Sequence, residues 1–206
     1  MKQDLLASLR AAVVALLAFT VLTGILYPLV VMGIGQAVFP HQAGGSLVVE
    51  HGKVIGSELI GQSFTHPAYL WGRPSALGPF PYNAMNSTGT NLGMSGAKPG
   101  EVNPALHDAV AARVKALRDA DPENTALVPV DLVTASASGL DPHISPAAAD
   151  YQAIRIARAR PGLSVEEVRT VIARHTAGRT LGFLGEPRVN VLAVNRALDA
   201  RTGPPR

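Results

Sequence analysis

The residue pattern points to an α+β protein: a single N-terminal transmembrane helix followed by one soluble extracytoplasmic domain with few strands, several short helices and a long irregular loop. Three observations carry this. Residues 11–39 contain no charged side chain, and a bilayer core about 30 Å thick needs only about 20 helical residues to span it. Beyond residue 40, apolar stretches with helical spacing and recognisable start signals alternate with a few β-forming runs. Between residues 61 and 101 neither period persists.

The apolar run is longer than the roughly 7–15 residues of a signal-peptide core. It also ends in Gln36-Ala37-Val38-Phe39, unlike a small-residue cleavage site, so it reads as a retained anchor. Pro28 removes a backbone donor inside it and is expected to kink the helix. Thr20 and Gly24 stand four apart, as do Gly33 and Ala37, a spacing that lets a second helix approach closely. Thr20, Gly24, Pro28 and Gly33 are therefore the candidate packing positions. Lys2 and Arg10, offset by Asp4, precede the span, whereas residues 40–59 carry only Lys53 among basic residues. Lys and Arg stay on the cytoplasmic side. Residues 1–10 are thus expected in the cytoplasm and residues 40–206 outside it. The chain has no cysteine, which fits either compartment.

In the domain, Ser46-Leu47-Val48-Val49-Glu50 and Lys53-Val54-Ile55-Gly56 flank His51-Gly52 and read as a hairpin. Asn103 caps a helix with Pro104 at its first position, and Leu106, Val110, Val114 and Leu117 share one face. The run Val128-Pro129-Val130-Asp131-Leu132-Val133 reads as a strand, with Pro129 at an edge or at its start. A second helix opens at Ser145-Pro146 and runs to about Arg160. A third opens with the capping box Ser164/Glu167 and should end at Gly178. A fourth spans about Asn190 to Arg201.

The formal charge is +3 over 206 residues, and the bases are spread along the helices rather than clustered, which argues against a nucleic-acid partner. Arg155, Arg158 and Arg160 are the densest group and read as a solvated helix face. Loops longer than about 12–15 residues are commonly functional. The one at 61–101 holds Phe64, Tyr69, Phe80, Tyr82 and the chain's single tryptophan, Trp71, so it reads as an ordered contact surface. Trp71 and Tyr82 would be anchors and Arg73 a fork-shaped donor, with Ser75 and Asn83 beside them. The alternative for Trp71 and Arg73 is a structural role in holding the loop itself.

Within this loop, Tyr69-Leu70-Trp71-Gly72-Arg73-Pro74-Ser75-Ala76 and Pro81-Tyr82-Asn83-Ala84, leading into Ser87-Thr88-Gly89-Thr90-Asn91-Leu92-Gly93, resemble the C subunit of the Kdp potassium-transporting ATPase. The block from Val128 to Pro146, the block Leu184-Gly185-Glu186-Pro187-Arg188-Val189-Asn190-Val191-Leu192, and Tyr27-Pro28 in the span agree. The resemblance implies an accessory subunit of a bacterial inner-membrane pump that takes up potassium with high affinity. Its partners would be a channel-like potassium-binding subunit and a P-type subunit that hydrolyses ATP. The C subunit of that family is needed for assembly and activity and is described as a catalytic chaperone raising the ATP affinity of the P-type subunit. The nucleotide stretch of that proposal falls here on Ser87, Thr88, Gly89, Thr90 and Asn91, with Thr88 where a second glycine is common. ATP and potassium thus belong to the complex, and lipid surrounds the anchor.

The residues themselves offer little to a nucleotide. The chain's one Gly-Lys pair, Gly52-Lys53, is followed by Val54, and Leu47 stands where a phosphate loop needs its first glycine. The Asp-Lys-Thr-Gly-Thr phosphorylation sequence is absent, so this chain is expected not to be the hydrolytic subunit, and no catalytic residue is expected in it. Gly93-Met94-Ser95-Gly96 departs from a nucleophile elbow. The six histidines form no i, i+3 or i+4 pair, so no metal site is expected. Asp141-Pro142-His143 reads as a turn rather than an acid–base pair, with no base expected near Asp141 and no partner for it. Two other readings are a nucleotide-binding regulatory subunit acting directly on ATP and a membrane-anchored sensor domain.

Overall fold

The structure, a computed structural model, describes residues 2–77, 79–85 and 103–205. They form two compact units, Met1–Leu47 and Val48–Arg206.

The first unit is the apolar helix. It begins as α1 (Lys2–Val21) and continues as α2 (Tyr27–Val38), joined by a π-helical turn at Leu22–Leu26. The apolar stretch Leu5–Val38 has 34 residues, enough to cross a membrane, and the helix continues N-terminal to the uncharged run. Pro28 explains the π turn. A proline ring meets the carbonyl one turn back and offers no N–H to it. Inserting one residue before Pro28 lets the Tyr27 N–H reach Leu22 O instead. Thr20, Gly24, Pro28 and Gly33 are all exposed on the helix surface. A short helix, α3 (Pro40–Ala43), closes this unit.

The second unit mixes helices with few short strands, the α+β class expected. β1 (Leu47–Glu50) and β2 (Lys53–Ser57) form the hairpin, turning at His51 (φ 49°) and Gly52 (φ 76°). Two successive positive φ values make the tight turn that suits twisted strands. α4 (Pro104–Ala120) starts where expected, with Asn103 Oδ1 accepting from the Ala105 N–H. The expected strand at 128–133 is instead a 3₁₀ turn at Val130–Leu132. Pro129 has no donor for a ladder, and Asp131 turns its carboxylate to the Ser145 N–H and hydroxyl. Thr134 Oγ1 also donates to Val130 O, and local side-chain bonding of that kind competes with sheet pairing.

β3 (His143–Ile144), β4 (Thr176–Ala177) and β5 (Arg188–Asn190) make an antiparallel sheet in the order β3-β5-β4. His143 faces Asn190, and Val189 lies opposite both Ile144 and Thr176. The helix opened by Ser145 breaks into α5 (Pro146–Tyr151) and α6 (Ala153–Ala159) at Gln152, whose side chain is recruited elsewhere. α7 (Val165–Arg174) carries the capping box but stops at His175, before Gly178, because Thr176–Ala177 leave the helix to pair with β5. α8 (Val191–Thr202) is capped by Asn190 and ended by Gly203 at φ 77°. Leu70, Leu117, Leu132, Ile156, Val189 and Leu198 belong to one buried cluster that unites these elements.

Candidate functional site

Among the described residues the segment 67–71 has no strand partner, yet its backbone is satisfied almost entirely by side chains of Gln152 between α5 and α6, Arg155 of α6, Arg160 just after it and Asn195 of α8. Arg155 donates to Pro67 O and Tyr69 O, Arg160 to Ala68 O, Asn195 to Leu70 O and Gln152 to Trp71 O. Five consecutive carbonyls are thus bound. The two amides also close the other side: Asn195 Oδ1 accepts from the Leu70 N–H at 2.7 Å, and Gln152 Oε1 from the Trp71 N–H at 2.9 Å. Buried backbone groups must find partners, and here glutamine, asparagine and arginine do what a neighbouring strand would do.

This overturns the solvated-face reading of the arginine group. Arg155 is 4% and Arg160 3% exposed, and only Arg158 of the three remains open to solvent. Arg160 is further held by Asp199 at 2.7 Å, Thr202 and Gly203 O. The Arg155 guanidinium lies 4.4 Å from the centre of the Trp71 ring, and that of Arg160 5.1 Å from the Tyr69 ring. Burial pushes the Arg155 pKa down to about 10, which still leaves it charged at neutral pH.

Arg73 continues the same pattern. It donates to Thr134 O and Ala135 O and meets Asp141 at 3.3 Å. The expectation that Asp141 lacks a partner is therefore corrected: its base comes from far away in sequence. The turn reading holds, because Asp141 Oδ1 also accepts from the His143 N–H at 3.0 Å. Ser75 Oγ donates to Gly139 O and accepts from the Leu77 and Tyr82 N–H groups. Tyr82, at φ 60°, donates its hydroxyl to Arg73 O. Burial, reinforced by Asp141, pushes the Tyr82 pKa up to about 12, so it stays protonated.

Trp71, Arg73, Ser75 and Tyr82 line one cleft of about 270 Å³, completed by Phe64 and by Arg113 of α4. Asn83 lies outside the cleft, in the following turn, with Oδ1 accepting from the Met85 N–H. Four of the five predicted contact residues are thus brought together. Each also braces the loop, so the structural role foreseen for Trp71 and Arg73 is real. Ser87, Thr88, Gly89, Thr90 and Asn91 lie outside the described residues. Among the described residues no group of three or more His, Asp or Glu side chains is placed to hold a metal. Arg113 was not foreseen. Its only signal is a basic residue between Val110 and Val114, beside the apolar stripe.

The chain thus combines an apolar helix long enough to cross a membrane with a mixed helix-and-strand domain that carries an aromatic-walled cleft. The particular family follows from comparison with known proteins. The chain belongs to the KdpC family: the model described as "K+-transporting ATPase, c chain" matches residues 9–200. It is similar to the protein named potassium-transporting ATPase KdpC subunit of Sorangium cellulosum, 62% identical over 195 residues, which is 95% of this chain and 98% of the relative. The protein of that name in Polaromonas naphthalenivorans is 60% identical over 192 residues, covering 93% and 94% of the two chains. That of Methylococcus capsulatus is 59% identical over 191 residues, covering 93% and 96%. Membership makes the chain a subunit of a potassium-transporting ATPase, with partner subunits implied and a membrane location.

Proposed function

We propose that this chain is the accessory, non-hydrolytic subunit of an ATP-driven potassium uptake complex in the bacterial inner membrane. Its domain at 40–206 lies outside the cytoplasm and docks on the channel-like potassium-binding subunit, while residues 1–10 remain inside. The carrying observation is that Trp71 is fixed within the bonded 67–71 segment, and that Arg73, Ser75 and Tyr82 are fixed beside it by bonds to 134–141 and to one another, with Asn83 in the following turn. Rigid presentation lowers the entropy cost of association. Thr20, Gly24 and Gly33 offer small, exposed positions, and Pro28 a π-turned region, against which partner helices pack. Any rise in the ATP affinity of the P-type subunit is then transmitted through assembly, because an extracytoplasmic domain meets no cellular ATP.

The side of the membrane tests this directly. The chain has no natural cysteine, so Ser138→Cys and Ser8→Cys give single labels in the domain and before the uncharged run. A membrane-impermeant maleimide should label position 138 in intact cells and position 8 only after lysis. The opposite pattern refutes the docking reading and restores a cytoplasmic regulator acting on nucleotide.

A further inference from the structure

The cleft holds a charge that no described residue compensates. Two guanidiniums line it, from Arg73 and Arg113, and no carboxylate among the described residues does. Arg73 is neutralised by Asp141. Arg113 is partly buried and donates Nη1 to Val133 O at 2.7 Å, but among the described residues no Asp or Glu pairs with it. Burial lowers its pKa. A half-desolvated guanidinium without a counter-charge is costly. The cost is recovered when a carboxylate meets its remaining fork of donors.

Size and walls narrow the occupant. About 270 Å³ is below the roughly 300–1,000 Å³ of pockets that enclose whole small ligands, so the space suits one side chain better than a nucleotide. Phe64, Trp71, Tyr82, Leu117 and Leu132 supply apolar walls for a short methylene stem. We infer that the cleft receives an aspartate or glutamate side chain from a partner subunit of the pump, with Arg113 as its counter-charge. This rests on the docking reading above and assigns the chemistry of the partner's contact.

The test uses purified whole complex. Arg113→Gln should raise the apparent Kd of this chain for the complex about tenfold, or about 1.4 kcal/mol, and Arg113→Lys should recover part of that. Arg113→Gln also loses the bond to Val133 O, so thermal melting of each full-length variant in detergent reports any structural effect. Independently, benzoylphenylalanine at Ala116, which lines the cleft, should crosslink to a partner peptide containing Asp or Glu. Affinity within twofold of wild type for Arg113→Gln, with crosslinks confined to this chain, overturns the inference. So does stabilisation of the isolated chain by acetate that needs Arg113 while complex affinity is unchanged, because the site then serves a free small carboxylate. Failure of the wild-type chain to co-purify with any pump subunit sinks the docking reading instead, a result distinct from an indifferent Arg113.

Discussion

Replacing Arg155 by methionine separates a solvated arginine from a structural one. At a solvated helix face the change should stay within about 0.5 kcal/mol. In the structure Arg155 supplies the donors for Pro67 O, Tyr69 O and Gln152 Oε1 and stacks on Trp71. Two backbone carbonyls lose their partner, at about 1–3 kcal/mol each. Methionine fills similar space and relieves the desolvation of a charge that is 4% exposed, which offsets part of the loss. The net expectation is a destabilisation of about 2–4 kcal/mol. For a domain of this size that is roughly 4–16 °C in Tm. Urea and thermal unfolding of the full chain in detergent, followed by emission of the single tryptophan Trp71 directly beneath Arg155, measures it. Lys115→Ala is the control, since its pairing with Asp119 is 75% and 61% exposed and should contribute about 0–1 kcal/mol. Equal, small effects of the two substitutions would refute the structural role of the buried arginine.

Three further expectations concern the loop, pH and ATP. Gly61→Ala would drive a Cβ into the Tyr82 ring and to 2.8 Å from Asp141 O. It should cost about 1–3 kcal/mol and move tyrosinate formation by Tyr82 from about 12 toward the ordinary 10.0; an unchanged ultraviolet titration contradicts this. Burial lowers the pKa of His143, with Asp141 opposing and Arg188 reinforcing, and that of His175, reinforced by Arg196, both from 6.5. Between the folded values and 6.5 the unfolded chain binds more protons, so stability falls as pH drops through 6.5 and levels off below the folded values. The double variant His143→Gln/His175→Gln should flatten the change in urea midpoint between about pH 7.5 and 5.5; an unaltered slope assigns it to other groups. Replacing Ser87, Thr88 and Asn91 together by alanine should leave the half-saturating ATP concentration of the intact complex within about twofold, roughly 0.4 kcal/mol. A tenfold rise at unchanged yield would put nucleotide on this loop.

The features legible from the residues are those that depend on near neighbours. The apolar span, the caps at Asn103 and Ser164/Glu167, the helix starts at Ser145 and Asn190, and the His51-Gly52 turn each use groups within a few positions. Local hydrogen bonding and residue spacing are enough to specify them. The cluster of Trp71, Arg73, Ser75 and Tyr82 was visible as an aromatic, aperiodic stretch with a family resemblance. How those residues are held was not visible.

Folding decided the rest, because the partners lie far apart along the chain. Arg155 and Arg160 look like surface residues by type, and nothing within one turn of them says otherwise. They are buried only because the carbonyls of 67–69, more than eighty positions earlier, arrive to accept their protons. Gln152 breaks its helix for the same reason, giving its amide to Trp71. β3, β4 and β5 are two or three residues long, too short for a period of two to register. Arg113 becomes a candidate binding residue only when α4 sets it beside Phe64 and Tyr82 in one cleft. A charged side chain is solvated by default, and long-range pairing is what changes that default here.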